Sequence, residues 1–207
     1  MEVITCVVGE IQTNCYILAE GKDCFIVDPG FDAKDIITTI EERHLKPQFI
    51  INTHGHYDHM GDNKVISDHF SIPVYCHESE VRMLTDAQIN FSMMLGVKKE
   101  SPAPQKAFKD GDTFSFVGST WTIMHTPGHT QGSMIFYNND NKIMFTGDTL
   151  FNEDFGRTDL PGGSEEQLKT SLRRIAALPG DFTIYPGHAD SALLSDQRPV
   201  IDHYCRD

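Results

Sequence analysis

The chain has 207 residues, a hydrophobic fraction of 39% and a formal net charge of −13. This length suits one globular domain, so we expect a single domain over residues 1–207. The acidic balance argues against nucleic-acid binding through a basic surface, and no apolar run in the sequence is long enough to span a bilayer. We therefore expect a protein with a packed core that binds neither nucleic acid nor membrane. No oligomeric state follows from the sequence.

The five cysteines indicate a reducing compartment. They are odd in number and form no Cys-x-x-Cys pair, and four of them lie in or beside apolar, strand-like runs. This placement is typical of small buried hydrophobic side chains. The first residues also lack the basic segment followed by an apolar segment that marks a secretory signal. We therefore predict a cytoplasmic protein.

Apolar patterning predicts strands and helices along the whole chain. Up to residue 85 the predicted elements are, in order, strands at 3–8, 15–19 and 24–28, a helix at 34–44, a strand at 49–52, a helix at 59–70, a strand at 73–76 and a helix at 77–85. Residues 86–105 show no clear period and predict a loop or a lid. The later elements are, in order, strands at 112–117, 120–125, 133–137 and 142–145, a helix at 164–178 that Ser164 caps, a strand at 181–185 and a short terminal helix. Helices placed between many strands predict an α/β fold in which two sheets pack face to face with helices outside.

The most informative stretch of the sequence is the loop 54–59, which reads His-Gly-His-Tyr-Asp-His. No ordinary turn requires this composition. Neutral imidazole nitrogens and an ionised carboxylate are, however, ligands that divalent metal ions accept. If the preceding strand ends before the loop, His54 and His56 emerge on one side of it, whereas Asp58 and His59 begin a new element. The spacing therefore suits two metal ions.

Three glycine turns supply further candidate ligands. Each turn follows an apolar, strand-like run, and the ligands are His129 after 121–124, Asp148 after 142–145 and His188 after 182–184. Glycine suits such turns because it accepts positive φ and lets the backbone approach closely. Side chains on loops at strand ends are held by a rigid sheet. We therefore expect these three residues to complete the donor set that the loop 54–59 begins.

Together these motifs resemble the metallo-β-lactamase superfamily, and most closely its glyoxalase II (hydroxyacylglutathione hydrolase) branch in a short form. The resemblance extends over nearly the whole chain. It is carried, in order, by Asn14-Cys15-Tyr16, Asp28-Pro29-Gly30, the loop 54–59, the segments 126–133 and 146–151, Gly156-Arg157-Thr158-Asp159 and Tyr185-Pro186-Gly187-His188. The resemblance implies an α/β fold of the four-layer αββα sandwich type.

The resemblance also implies which residues would hold two divalent metal ions. Zinc is the metal that we expect, and iron and manganese accept the same nitrogen and oxygen ligands. The seven implied ligands are His54, His56 and His129 for the first ion, Asp58, His59 and His188 for the second, and Asp148 as a bridge between both.

The implied chemistry is hydrolysis of a small-molecule thioester, with S-lactoylglutathione or a related small thioester as the substrate. A metal ion lowers the pKa of bound water to roughly 7, and the metal-bound hydroxide would attack the carbonyl carbon. A thiolate leaves with little protonation, so no separate general acid is required. Asp58 is the candidate catalytic residue, because its second oxygen could orient the attacking water.

The sequence leaves several alternatives open. Only residues 189–207 follow His188, so the helical domain with which full-length glyoxalase II enzymes grip glutathione is not expected here. A mononuclear iron persulfide dioxygenase shares the Gly-Arg-Thr-Asp motif, and a lactonase or another ester hydrolase would use the same ions. Asp28 either supports the metal loop or caps a turn. Arg157 and Asp159 are expected to form a buried ion pair at the floor of the pocket.

Overall fold

A computed structural model of the protein describes residues 1–206, which form two compact units. Unit 1 comprises Met1–Phe108, and unit 2 begins at Lys109. Within the described residues each unit contains one six-stranded sheet together with helices. The α/β class that the sequence predicts is therefore correct, whereas the single domain over residues 1–207 stays a prediction.

Unit 1 alternates strands with short helices after an initial meander. Its strands are β1 (Glu2–Val8), β2 (Thr13–Glu20), β3 (Asp23–Val27), β4 (Lys46–Ile51), β5 (Val74–His77) and β6 (Lys106–Phe108). Its helices are α1 (Ala33–Glu42), α2 (Tyr57–Met60), α3 (Asn63–Phe70) and α4 (Val81–Thr85), with 3₁₀ turns at Glu78–Glu80 and Ser92–Leu95.

The strand directions of unit 1 bring several loops to one edge of its sheet. The sheet order is β1-β2-β3-β4-β5-β6, with β1, β2 and β3 paired antiparallel. From β3 onward the pairs β3–β4, β4–β5 and β5–β6 are parallel. Parallel neighbours end at the same edge of a sheet, so the segments that leave β3, β4 and β5 emerge side by side.

The core of unit 1 forms where α1 and α3 cover one face of this sheet. Ile17, Ile26 and Ile50 of the strands are fully buried in the same cluster as Ile36 of α1 and Ile66 of α3. Burying a side chain of this size stabilises the fold by about 1.5–3 kcal/mol. The sheet and its two helices therefore form a rigid platform for the loops at the edge.

Unit 2 has a similar composition of strands and helices. Its strands are β7 (Thr113–Phe116), β8 (Ser119–His125), β9 (Met134–Asn138), β10 (Ile143–Gly147), β11 (Thr183–Pro186) and β12 (Ala192–Leu193), and its helices are α5 (Glu165–Ala176) and α6 (Leu194–Tyr204). The sheet order is β12-β11-β10-β9-β8-β7. Since β8 and β10 are each antiparallel to β9, and β11 is parallel to β10, the strands β8, β10 and β11 all end at one edge.

The helix α5 begins as the sequence predicts. Ser164 is its N-cap, and the Ser164 hydroxyl accepts a hydrogen bond from the backbone N–H of Gln167 at 3.4 Å. The apolar side of α5 carries Leu168 and Leu172, which are fully buried in one cluster with Ile201 of α6. The two helices of unit 2 are thus fixed by one shared core.

The structure differs from the predicted elements in several places. The helix predicted at 59–70 is two helices, α2 and α3, because Asp62 leaves helical geometry with φ −108° and ψ 14°. Its carboxylate accepts a hydrogen bond from the first backbone N–H of α1, at Ala33, over 3.0 Å. The helix predicted at 77–85 is a 3₁₀ turn followed by α4, and the short strands β6 and β12 carry too few residues to show a period. No helix within residues 1–206 has the length and apolar character that crossing a membrane requires.

We predict that Gly30 tolerates no side chain, because a Cβ atom there would lie 1.7 Å from the backbone oxygen of Asp58. Gly21 is the matched control, since it has φ +64° but nothing within 4 Å of an added Cβ. Overpacking at Gly30 costs about 3 kcal/mol, which lowers the melting temperature of Gly30→Ala by roughly 6–12 °C. Backbone strain in Gly21→Ala costs about 1 kcal/mol and lowers it by roughly 2–4 °C. Calorimetry of the metal-free variants checks this, and equal shifts would contradict the close contact.

Candidate metal centre

Unit 1 brings together the four predicted ligands of the loop 54–59. The loop leaves β4 and enters α2, so Asp58 and His59 do begin a new element. All four ligands are buried, with exposed fractions of 1%, 5%, 6% and 0% in chain order. The ring centroids of His54 and His56 lie 4.8 Å apart, and those of His54 and His59 lie 4.0 Å apart. Imidazoles packed this densely in the interior indicate a site that binds something between them.

Asp28 supports this loop from the end of the neighbouring strand β3. Its carboxylate is 1% exposed and accepts hydrogen bonds from the backbone N–H of Thr53 at 2.8 Å and from the Thr53 hydroxyl at 2.6 Å. The Asn52 amide and His59 Nδ1 lie 3.4 Å and 3.0 Å from the same carboxylate. Of the two roles that the sequence left open for Asp28, the structure favours support of the metal loop. The Asp28 oxygens lie near His54 and His59, but the donors around them make Asp28 an anchor of ligands rather than a ligand.

These hydrogen bonds determine which ring nitrogens of unit 1 face inward. An ionised carboxylate can only accept hydrogen bonds. His59 Nδ1 therefore carries a hydrogen atom and donates a hydrogen bond to Asp28. The Thr53 hydroxyl donates to Asp28, and His54 Nδ1, at 3.2 Å, therefore donates to Thr53 Oγ1. In both rings Nε2 is then the nitrogen that has the lone pair. A metal-binding histidine has its tautomer and orientation fixed by such a bond from its other nitrogen.

Two further residues of unit 1 hold the loop. Glu80 is 1% exposed, and its Oε1 atom accepts a hydrogen bond from the backbone N–H of Gly55 at 2.9 Å. The Thr13 hydroxyl donates to Asp58 Oδ2 at 3.1 Å. Neither role was predicted from the sequence. The position of Thr13 next to the Asn-Cys-Tyr motif could have indicated its role. No local sequence pattern distinguishes Glu80.

Unit 2 brings its three predicted ligands together around one carboxylate. Asp148 Oδ2 lies 3.5 Å from His129 Nε2 and 3.6 Å from His188 Nε2. Asp148 and His129 are buried, whereas the His188 side chain is 26% exposed. An oxygen that faces two imidazole nitrogens in this way is the arrangement expected of a bridging ligand.

The strand directions of unit 2 explain this convergence. His129, Asp148 and His188 follow β8, β10 and β11, which end at the same edge. The backbone N–H of Gly187 donates to the carbonyl oxygen of Gly147 at 2.8 Å, which ties the turn of His188 to that of Asp148. The backbone of the sheet therefore brings the three side chains to one edge.

The Gly156-Arg157 motif contacts the candidate ligands of unit 2 through its backbone. His129 Nδ1 donates to the carbonyl oxygen of Arg157 at 2.8 Å, so Nε2 is again the nitrogen that faces Asp148. A Cβ atom on Gly156 would lie 1.8 Å from the Asp148 backbone oxygen, so only glycine permits this approach. The side chains of Arg157 and Asp159 form a bidentate ion pair at 2.6 Å and 2.7 Å. They are 61% and 67% exposed, so the predicted burial of this pair is wrong.

The remaining histidines are not part of either donor set. His125 Nε2 donates to the carbonyl oxygen of Gln131 at 2.9 Å. His77 is buried, and its Nδ1 atom accepts a local hydrogen bond from the backbone N–H of Ser79 at 3.2 Å. His44, His69 and His203 are exposed.

The donor sets fit divalent metal ions with nitrogen and oxygen ligands. A tetrahedral zinc ion with bonds of about 2.0–2.1 Å separates its ligand atoms by about 3.3 Å. The distance from His59 Nε2 to Asp58 Oδ2 is 3.2 Å in unit 1, and the two Asp148 distances in unit 2 are 3.5 Å and 3.6 Å. Each of these three pairs of ligand atoms thus lies near the spacing that an ion shared by the pair would impose. The allocation of the seven ligands to two particular ions stays a prediction.

Comparison with known proteins identifies the family. The family model of the metallo-β-lactamase superfamily matches residues 8–188. This chain belongs to the metallo-β-lactamase superfamily. It is a metallo-hydrolase with candidate metal-binding histidine and aspartate groups, and its fold class is the one that the sequence motifs implied.

Three of the proteins that this chain resembles are informative. The hydroxyacylglutathione hydrolase GloC of Haemophilus influenzae is 31% identical over 195 residues, which cover 92% of each chain. The crystal structure of the BLEG-1 B3 metallo-β-lactamase has a TM-score of 0.91 and 34% identity, covering 96% of this chain and 97% of that one. The crystal structure of TTHA1623 in a di-iron-bound form has a TM-score of 0.85 and 28% identity, covering 94% and 96% of the two chains.

We predict that Asp28→Asn weakens metal binding in this superfamily member without unfolding it. The amide has one acceptor oxygen, and its NH₂ group would face the donors of Thr53 and His59. Loss of such an outer partner typically costs 10–100-fold in metal affinity. Competition with a chromophoric zinc chelator measures this affinity. Asp23→Asn makes the same change at a carboxylate that accepts from the Gln48 amide on the surface of the same unit, and as the control it should change the affinity less than about twofold. Equal affinities in the two variants would contradict the role of Asp28.

Proposed function

We propose that this protein is a binuclear metal-dependent thioesterase of the glyoxalase II type. The observation that carries the proposal is the position of Asp148 Oδ2, which faces the Nε2 atoms of two histidines at 3.5 Å and 3.6 Å. One carboxylate with an imidazole on either side is suited to link two ions. Membership of the metallo-β-lactamase superfamily supports the same reading.

The proposed centre uses all seven ligands. Unit 1 offers four of them and unit 2 offers three, and each set is assembled within its own unit. We propose that both sets act on the same pair of ions, and the di-iron form of TTHA1623 supports a pair. The ligands would be His54, His56 and His129 for one ion, Asp58, His59 and His188 for the other, and Asp148 for both. Zinc, iron and manganese all suit this donor set.

The chemistry follows from the ligands and their neighbours. A bound pair of ions supplies a hydroxide near neutral pH and polarises the substrate carbonyl. Asp58 Oδ2 accepts a hydrogen bond from the Thr13 hydroxyl and lies 3.2 Å from His59 Nε2. These two contacts fix the orientation of the carboxylate. Its other oxygen, Oδ1, would then hold the proton of the attacking water and orient it toward the carbonyl carbon. Asp58 is therefore the proposed catalytic residue.

The proposed substrate is a small-molecule thioester. A thiol has a pKa of about 8.5, so the thiolate departs without a strong general acid. The hydroxyacylglutathione hydrolase GloC, at 31% identity, supports this substrate class, with S-lactoylglutathione as the reference compound. We propose the cytoplasm as the location of this reaction. Hydrolysis of β-lactams is the second candidate, which the likeness to the BLEG-1 B3 metallo-β-lactamase favours.

The proposed function predicts that Asp148→Asn removes both metal binding and thioester hydrolysis. An amide carries no charge and offers one acceptor oxygen, so it cannot replace a bridging carboxylate. We expect the hydrolysis of S-lactoylglutathione by zinc- or iron-loaded protein to fall by at least about 100-fold, with fewer ions retained per chain. Asp140→Asn, at an exposed turn of the same unit, is the control and should keep its rate and metal content.

Two results would contradict the proposal. Near-normal turnover of Asp148→Asn with full metal content would exclude the bridging role. Metal-replete wild-type protein that hydrolyses a chromogenic cephalosporin but not S-lactoylglutathione or S-acetyl thioesters would favour the β-lactamase candidate instead.

A further inference from the structure

A cavity of about 720 Å³ opens beside the metal loop of unit 1. Its lining is largely apolar and comes from the β1–β2 turn, from the segment after β3, from the metal loop itself and from residues 95–97. The apolar lining residues are Ile11, Phe31, Tyr57, Leu95 and Val97. Ile11, Leu95 and Val97 are 51%, 58% and 41% exposed. Apolar side chains gathered around an open cavity mark a binding site for an apolar group.

The wall of this cavity and the metal loop are physically connected. The backbone N–H of Tyr57, between two predicted ligands, donates to the carbonyl oxygen of Asn90 at 3.0 Å. The ring of Phe91 lies 5.2 Å from the ring of His56, and the ring of Phe31 lies 5.9 Å from that of Tyr57. Phe91 also has φ +69°, a left-handed conformation that a bulky residue rarely adopts. A group in the cavity would therefore lie next to the residues that hold the reacting centre.

The rim of the cavity is acidic. Glu10 and Asp32 are its charged lining residues, and the Asp32 carboxylate accepts from the backbone N–H of Gly9 at 2.8 Å, which fixes the turn. Lys99 lies 5.2 Å from the ring centroid of Phe31, but its ammonium is held by Asp62 at 2.7 Å. An anionic ligand would meet uncompensated carboxylates here. Glutathione has two carboxylates and one ammonium group, so its thioesters fit this rim poorly, whereas uncharged ligands avoid the repulsion.

We propose that this cavity receives the apolar acyl chain of an uncharged thioester. The enzyme then prefers acyl groups of several methylenes to the lactoyl group, and an uncharged thiol to glutathione. This inference rests on the proposed thioesterase function and names its substrate class. Ile11 and Leu95, which come from two different segments of the lining, are the residues that determine the specificity for chain length.

The test measures kcat/KM of the metal-loaded protein for thioesters of N-acetylcysteamine, an uncharged thiol, with acyl chains from acetyl to octanoyl. Burial of one methylene favours binding by about 0.8 kcal/mol, so kcat/KM should rise roughly two- to fourfold for each methylene added. Ile11→Ser and Leu95→Ser should flatten this dependence. The control is Val65→Ser, because Val65 is 49% exposed on α3 in the same unit and outside the lining, and it should keep the slope.

A second measurement separates the cavity from the chemistry. Calorimetry with the non-hydrolysable thioether S-octyl-N-acetylcysteamine should detect binding that Ile11→Ser and Leu95→Ser weaken and Val65→Ser does not.

If acetyl and octanoyl thioesters are hydrolysed equally well and the thioether does not bind, the inference is wrong while the thioesterase function stands. If the thioether binds in this way but no thioester is hydrolysed, the proposed function is wrong and the cavity remains an apolar site. Faster hydrolysis of S-octanoylglutathione than of the uncharged octanoyl thioester would overturn the charge argument.

Discussion

The candidate metal centre depends on how buried imidazoles are oriented. A metal-binding histidine almost always donates its other ring N–H to a partner that fixes the tautomer and the orientation of the ring. Asp28 provides this partner for His59 directly and for His54 through the Thr53 hydroxyl. In unit 2 the backbone carbonyl of Arg157 does the same for His129. These hydrogen bonds leave Nε2 as the nitrogen that carries the lone pair in His54, His59 and His129.

In both units, the strands of the sheet position the candidate ligands in the same way. In unit 1 the segments after the parallel strands β3, β4 and β5 contribute Asp28, the loop 54–59 and Glu80. In unit 2 the segments after β8, β10 and β11 contribute His129, Asp148 and His188. Each donor set therefore lies where co-directional strands end. Loops at such an edge can differ in length and sequence while the strands keep their positions.

Much of the fold could be predicted from the sequence. The same sequence motifs name the seven candidate ligands, whose binding of metal stays a prediction. The loop 54–59 and the three glycine turns show their chemistry locally, because ligands follow apolar runs that the structure forms as β4, β8, β10 and β11. The positions of these strands were predicted to within a few residues. The glycines of the motifs also have a physical meaning, since Gly30 and Gly156 let the backbone pass within contact distance of Asp58 and Asp148.

What the sequence could not show depends on contacts between distant residues. Glu80 is 25 positions from Gly55, and nothing near it in sequence indicates that its carboxylate holds the metal loop. The break between α2 and α3 depends on a hydrogen bond from Asp62 to the start of α1, 29 positions away. The Arg157–Asp159 pair was expected to be buried because its motif lies in the site, but only the backbone of that motif reaches His129.

The proposed binuclear centre requires both donor sets to bind one pair of metal ions. X-ray absorption spectroscopy of the protein loaded with two equivalents of zinc tests it most directly, because scattering between neighbouring ions reports their separation. We expect a zinc–zinc distance of about 3.5–4 Å and only nitrogen and oxygen atoms bonded directly to the zinc ions. Two bound zinc ions without any mutual scattering, or retention of only one ion per chain, would contradict it.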